Sequence, residues 1–149
     1  MLKDKLNADI KTALLAGDKP RAEILKSLKS AILYEEVALK VREEGLPDDK
    51  IEVVLAREAK KRADAADLYA KNDQPERAAI ERAEKEVIES YLPKQLSDTE
   101  LAQVVDEVIA GLGADAQMGP VIGAVKAKVG TAADGARVAA AVKAKLVGS

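Results

Sequence analysis

The chain of 149 residues contains no cysteine, histidine, phenylalanine or tryptophan. Without thiols there is no disulfide, iron–sulfur cluster or thiolate zinc site, and no thiol nucleophile. Without imidazole the chain lacks the side chain best suited to moving a proton near neutral pH. Aromatic rings are limited to Tyr34, Tyr69 and Tyr91, which removes the stacking platforms that single-strand recognition uses. No run of 18 apolar residues occurs, and the start MLKDKLNADIK has no apolar signal core. The expectation is a cytoplasmic protein with no membrane association, no metal and no cofactor. Most ordinary catalytic machinery is excluded, so the chain reads as one that recognises and does not react.

What remains is a soluble, folded composition: 48% apolar and 34% charged residues with net charge −2. The core must be built from Leu, Ile, Val and Ala. Such side chains let helices approach closely but bury less area each, at roughly 25 cal/mol per Å². Stability then depends on helix number and on the propensity of Ala, Lys, Glu and Arg.

The apolar spacing is helical throughout, with no alternation of period two, and predicts an all-α protein. Leu2, Leu6, Ile10 and Leu14 form one face ending near Gly17, with Ala13 beside them. Pro20 suits the first turn of a second helix carrying Leu25, Leu28, Ile32 and Leu39, expected to run on to Glu44, about 25 residues and about 37 Å. Pro47, Asp48 and Asp49 open a third helix with Ile51, Val54, Leu55, Ala59, Ala66 and Tyr69 inward. Asn72-Asp73-Gln74-Pro75 is a turn. A fourth helix is expected from Pro75 to Leu92, with Ala79, Ala83, Val87 and Ile88 inward, and Pro93 stops it.

Beyond Pro93, Ser97 and Glu100 form an S-x-x-E capping box, with Leu96 and Leu101 in the positions of a hydrophobic staple. A fifth helix carries Leu101, Val104, Val105, Val108 and Ile109 to an expected stop at Gly111. A sixth begins near Met118 or Pro120 and ends before Gly130. A seventh, capped by Asp134, carries Val138, Val142 and Leu146. The expected organisation is an N-terminal long-helix domain of about four helices over 1–93, a linker at 94–96, and a three-helix domain over 97–149.

Charge is segregated in that last domain. Residues 97–115 hold Asp98, Glu100, Asp106, Glu107 and Asp115 with no basic residue. Residues 116–149 hold Lys126, Lys128, Arg137, Lys143 and Lys145 against Asp134 alone. On one side of the domain, these five cations would form a footprint for phosphates, and they are the candidate nucleic-acid-binding residues. A short echo sits inside the basic half: Ala124-Val125-Lys126-Ala127-Lys128-Val129 recurs as Ala141-Val142-Lys143-Ala144-Lys145-Leu146. Both copies close a helix, where lysine suits the dipole.

Other patterns have plainer readings. Arg57, Lys60, Lys61 and Arg62 lie among Glu58, Asp64 and Asp67 and read as a solvated ion-pair face. Glu81, Glu84, Glu86 and Glu89 read as an exposed acidic face, since di-iron bundles need Glu-x-x-His pairs. Gly111-Leu112-Gly113-Ala114-Asp115-Ala116 matches a dinucleotide fingerprint but follows a helix where the motif needs a strand.

The segment Tyr91-Leu92-Pro93-Lys94-Gln95-Leu96-Ser97, followed by Met118-Gly119, Gly123 and Ala133-Asp134-Gly135, resembles the GatB/YqeY family. The stretch from Leu25 to Ile32 fits it as well. The family comprises small YqeY-like proteins similar to the tail of the B subunit of the aspartyl/glutamyl-tRNA amidotransferase. Where the family usually has Gly-Arg before Ala-Asp-Gly, this chain has Thr131-Ala132. The resemblance implies a non-catalytic accessory or adaptor protein, with tRNA or a tRNA-amidotransferase-like complex as partner. Two other readings stand beside it: a protein–protein adaptor without RNA, and participation in a glutamine-dependent carbon–nitrogen ligase complex whose catalytic parts lie elsewhere.

Overall fold

A computed structural model describes residues 1–147, and those residues contain helices and no strand. The last two positions of the expected C-terminal domain, 148 and 149, lie outside the described residues. The helices gather into two compact units, one over Met1–Leu92 and one beginning at Pro93.

The first unit holds α1 (Leu2–Leu15), α2 (Lys19–Ala38), α3 (Asp48–Lys71) and α4 (Pro75–Glu89). Leu6, Leu25, Leu28, Ile32, Ile51, Leu55 and Ile88 form its dry centre. A repeat of four drifts around a 3.6-residue helix. Leu14 has therefore turned outward, and Ala13 takes the inward place.

Three of these helices end in the same backbone device. The residue after the C-cap adopts left-handed geometry, and its own N–H and that of the next residue turn back onto the last carbonyls. Gly17 does this for α1, where its N–H donates to Leu14 O and that of Asp18 to Ala13 O. Asp73 does it for α3, with Gln74 N–H donating to Tyr69 O. Lys40 does it for α2 at φ 59°, with Val41 N–H donating to Glu36 O at 2.9 Å. The expectation that α2 continues to Glu44 is therefore corrected: it stops at Ala38.

Glu36 is the reason. Its side chain is fully buried, accepts from Lys3 Nζ at 2.9 Å on each oxygen, and accepts from Leu46 N–H at 2.9 Å. Desolvation alone would raise its pKa, but the Lys3 and Leu46 hydrogen bonds and the positive charge of Lys3 and Arg42 prevail and hold it below the usual carboxylate range. A straight helix would carry Leu46 away from this carboxylate, so tertiary bonding overrides the helix-forming sequence Leu39–Glu44.

Helices α3 and α4 form a hairpin across the predicted Asn72-Asp73-Gln74-Pro75 turn, whose last residue opens α4. The expected inward set of α4 is corrected: Ala78 and Ile88 are buried, Ala79 and Ala83 are exposed, Val87 is partly buried, and the helix ends at Glu89. The register follows Arg62, whose Nε donates to Glu84 at 2.9 Å, with Glu58 at 3.6 Å and Glu81 at 4.0 Å. Glu81 and Glu84 consequently face α3, and only part of the acidic run is a solvated face. The basic run divides too, with Arg57 reaching Glu35 of α2 at 3.7 Å and Lys61 meeting Glu58 at 3.1 Å. After α4, Tyr91 is buried and its hydroxyl donates to Asp9 of α1, while Lys5 lies 4.9 Å from the ring centroid. Burial, then the Asp9 carboxylate, push the phenol well above its ordinary value.

The second unit holds α5 (Asp98–Leu112), α6 (Met118–Val129), a 3₁₀ turn (Gly130–Ala132) and α7 (Gly135–Val147). The capping box forms as read: Glu100 N–H donates to Ser97 Oγ at 3.1 Å and Ser97 N–H to Glu100 Oε1 at 3.3 Å. Hydrogen bonding to the carboxylate from the Ser97 hydroxyl, and then from the Ser97 backbone N–H, holds the exposed Glu100 carboxyl below its usual range. Gly111 does not stop α5. The helix ends one residue later, where Gly113 takes φ 97°, a region closed to most side chains. The core is Leu101, Val105, Val121, Val125, Val138 and Val142 with Val108 and Ala133.

Candidate nucleic-acid interface of the second unit

Helices α5 and α7 run in the same direction. Arg137 Nη2 donates to Asp98 Oδ1 at 2.9 Å and Lys145 Nζ to Asp106 Oδ2 at 3.2 Å, an offset of 39 residues in both cases. On α6, Lys128 Nζ donates to Glu107 Oε2 at 3.2 Å. The charge segregation along the sequence is thus folded back on itself, the acidic helix lying against the basic ones. Three of the five candidate cations spend their charge on carboxylates of α5.

The echo now has a tertiary reading. In each copy the valine, Val125 or Val142, is fully buried. The lysine three residues later, Lys128 or Lys145, reaches one of the adjacent carboxylates Glu107 and Asp106. The lysine immediately after the valine, Lys126 or Lys143, points outward, with no carboxylate within 4.0 Å among the described residues. Valine, lysine and lysine thus serve core, surface and ion pair. Helical spacing makes that division, since one step turns the chain by about 100° while three steps nearly close a turn.

Lys126 has a further neighbour. Its Cε and Nζ lie 3.4 Å from the place a β-carbon on Gly135 would occupy, at the first residue of α7. Asp134 caps that helix, accepting from Arg137 N–H at 2.8 Å. Arg137 also donates to Leu96 O at 2.7 Å, while Gln95 Nε2 donates to Thr131 O and Leu96 N–H to Ala132 O, each at 2.8 Å. Residues 95 and 96 of the expected linker are therefore bonded onto the 3₁₀ turn and α7. Thr131 Oγ1 is buried without a hydrogen-bond partner among the described residues.

A family model described as Yqey-like protein matches residues 3–146. The chain belongs to this family. No curated protein matches it. The match covers both units, so the family is defined by the whole helical chain and not by the motif-bearing second unit alone.

Sequence reasoning named the cations but missed their partners Asp98, Asp106 and Glu107. A signal was present in the spacing: Asp98 and Asp106 are eight residues apart on α5, as are Arg137 and Lys145 on α7, so parallel helices bring both pairs into register.

Proposed function

We propose that this protein is a non-catalytic, cytoplasmic accessory factor that associates with tRNA through the basic surface of its second unit. Lys126 and Lys143 supply the free charge; Lys128, Arg137 and Lys145 hold the surface in shape and contribute less. The observation that carries the reading is the Lys126 ammonium beside Gly135, within Ala133-Asp134-Gly135, one of the segments on which the family resemblance rests. Recognition through phosphates suits a chain without Phe or Trp. Participation in an amidotransferase-like complex would then mean docking and not chemistry.

Two free lysines set a scale. Each neutralised phosphate contributes about 0.7–0.9 to the slope of log K against log salt, so binding is weak, in the range of about 10⁻⁴–10⁻⁶ M, and falls with a slope near 1.5. Titration of labelled tRNA at low and moderate salt tests this. Joint Lys126→Glu and Lys143→Glu substitution should weaken binding at least tenfold. Absence of binding at low salt, or unchanged affinity of the double variant, would remove the proposal.

A further inference from the structure

Helix α4 carries a fully buried apolar stripe and a second one, of which only Val87 packs, partly buried, against the core of the first unit. Ala78 and Ile88 are fully buried. Ile80, Ala83 and Val87 occupy a different face at steps of three and four. Ile80 is 59% exposed, Ala83 is exposed and Val87 is partly covered. Opposite them, α2 presents Pro20, Ile24 and Ser27 at the same steps, and between the two stripes lies a groove of about 590 Å³. That volume is typical of sites that take an organic ligand or several side chains. Each stripe covers two helical turns, about 10 Å. The small Ala83 lies between Ile80 and Val87 and leaves room for an incoming ridge.

The walls are more acidic than basic. Asp18, Glu23 and Glu84 line the groove with Arg21 and Arg62. Arg62 already donates to Glu84 and has Glu58 and Glu81 within 4.0 Å, so three carboxylates surround one guanidinium. Glu23 meets Lys26 at 3.7 Å on the outer rim, and Lys61 meets Glu58 at 3.1 Å. Across the groove and its supporting shell, carboxylates still outnumber cations.

The geometry points to this groove as the docking site for a basic amphipathic helix of a partner protein, with apolar residues at i, i+3 or i+4, and i+7 and flanking Lys or Arg. Two parallel rows of side chains two turns long accept a third helix as ridges enter grooves. The acidic rim selects the sign of its charge. The site is distinct from the basic surface of the second unit and does not depend on tRNA binding.

Fluorescence anisotropy of the full chain tests the proposal with a labelled 14-residue helical peptide of Leu and Lys that carries leucine at those positions. Two comparison peptides are used, a scrambled one of the same composition and a Leu/Glu amphipathic one. The expected result is saturable one-to-one binding of the Leu/Lys helix, at least tenfold weaker binding of both comparison peptides, and at least a tenfold loss with Ile80→Asp and with Ala83→Arg. Both positions are exposed, so the variants should keep the wild-type circular dichroism and melting temperature. Equal binding of the three peptides, or undiminished binding by both variants, would overturn the proposal. Backbone amide shifts of the wild-type chain give a second readout that needs no variant: shifts along α2 and α4 support the groove, and shifts confined to other helices refute it.

Discussion

The two units solve the same problem, a helical core without Phe or Trp, in different ways. The first uses Leu and Ile as its large buried residues and takes Glu36 into the interior with them. The second uses valine almost throughout and keeps its ion pairs at the surface. Leu is a better helix former than Val and buries more area, so the first unit has stability to spend on a buried carboxylate that shapes its α2–α3 loop. The second has smaller side chains, and it relies on a full capping box, a capped α7 and the bonds from Gln95 and Leu96 to define its helix ends.

The largest single effect expected from that contrast belongs to Glu36. Replacing it with Ala leaves the Leu46 N–H without its acceptor and Lys3 without a partner, at a cost of about 3 kcal/mol. Hydrogen exchange should show faster opening in α2 and α3 and little change in α5–α7. The pH dependence follows from the same group. Because its folded pKa lies below its unfolded one, its contribution is complete above the ordinary carboxylate value near 4.3 and is lost as pH falls through the depressed value. The first unit should thus lose stability as pH falls through that range, and the Glu36→Ala variant should lose that part of the acid sensitivity.

Ser97→Ala sharpens the comparison from the other side, costing about 1 kcal/mol by removal of the α5 cap, with protection lost in the first turn of α5. A smaller effect of opposite sign is expected at Lys40. Its left-handed backbone is unfavourable for a side chain, so Lys40→Gly should stabilise the first unit by about 0.5–1 kcal/mol in a denaturant titration. Smallest of all, Lys128→Ala and Lys145→Ala should each change stability by less than about 0.5 kcal/mol, since exposed ion pairs contribute little. A loss of 2 kcal/mol from either would mean that surface charge holds the second unit together, and the contrast would fail.

Several features are legible in the sequence. The Ser97–Glu100 box, the turn from Asn72 that Pro75 closes, the start of α3 and the cap at Asp134 are local devices, each complete within about four residues, and all four are found in the structure. The errors have one character. The end of α2, the inward face of α4 and the end of α5 each required a choice among patterns of similar local merit. Leu39–Glu44 is as helical in composition as the segment before it, and both Ala78 and Ala79 are alanine. The candidate cations were legible as charge, but their pairing with Asp98, Asp106 and Glu107 was not, because the partners lie 21 or 39 residues away.

The sequence by itself determined that this protein is helical, where most of its helices begin, and which residue types its core uses, because propensity, capping and periodicity act over one or two turns. Tertiary structure alone decided that α2 stops at a buried carboxylate, that three of five cations are already paired, and that Ile80, Ala83 and Val87 line a groove. Those outcomes depend on which groups meet across distant parts of the chain, and the energy of a buried or paired charge is set by that encounter.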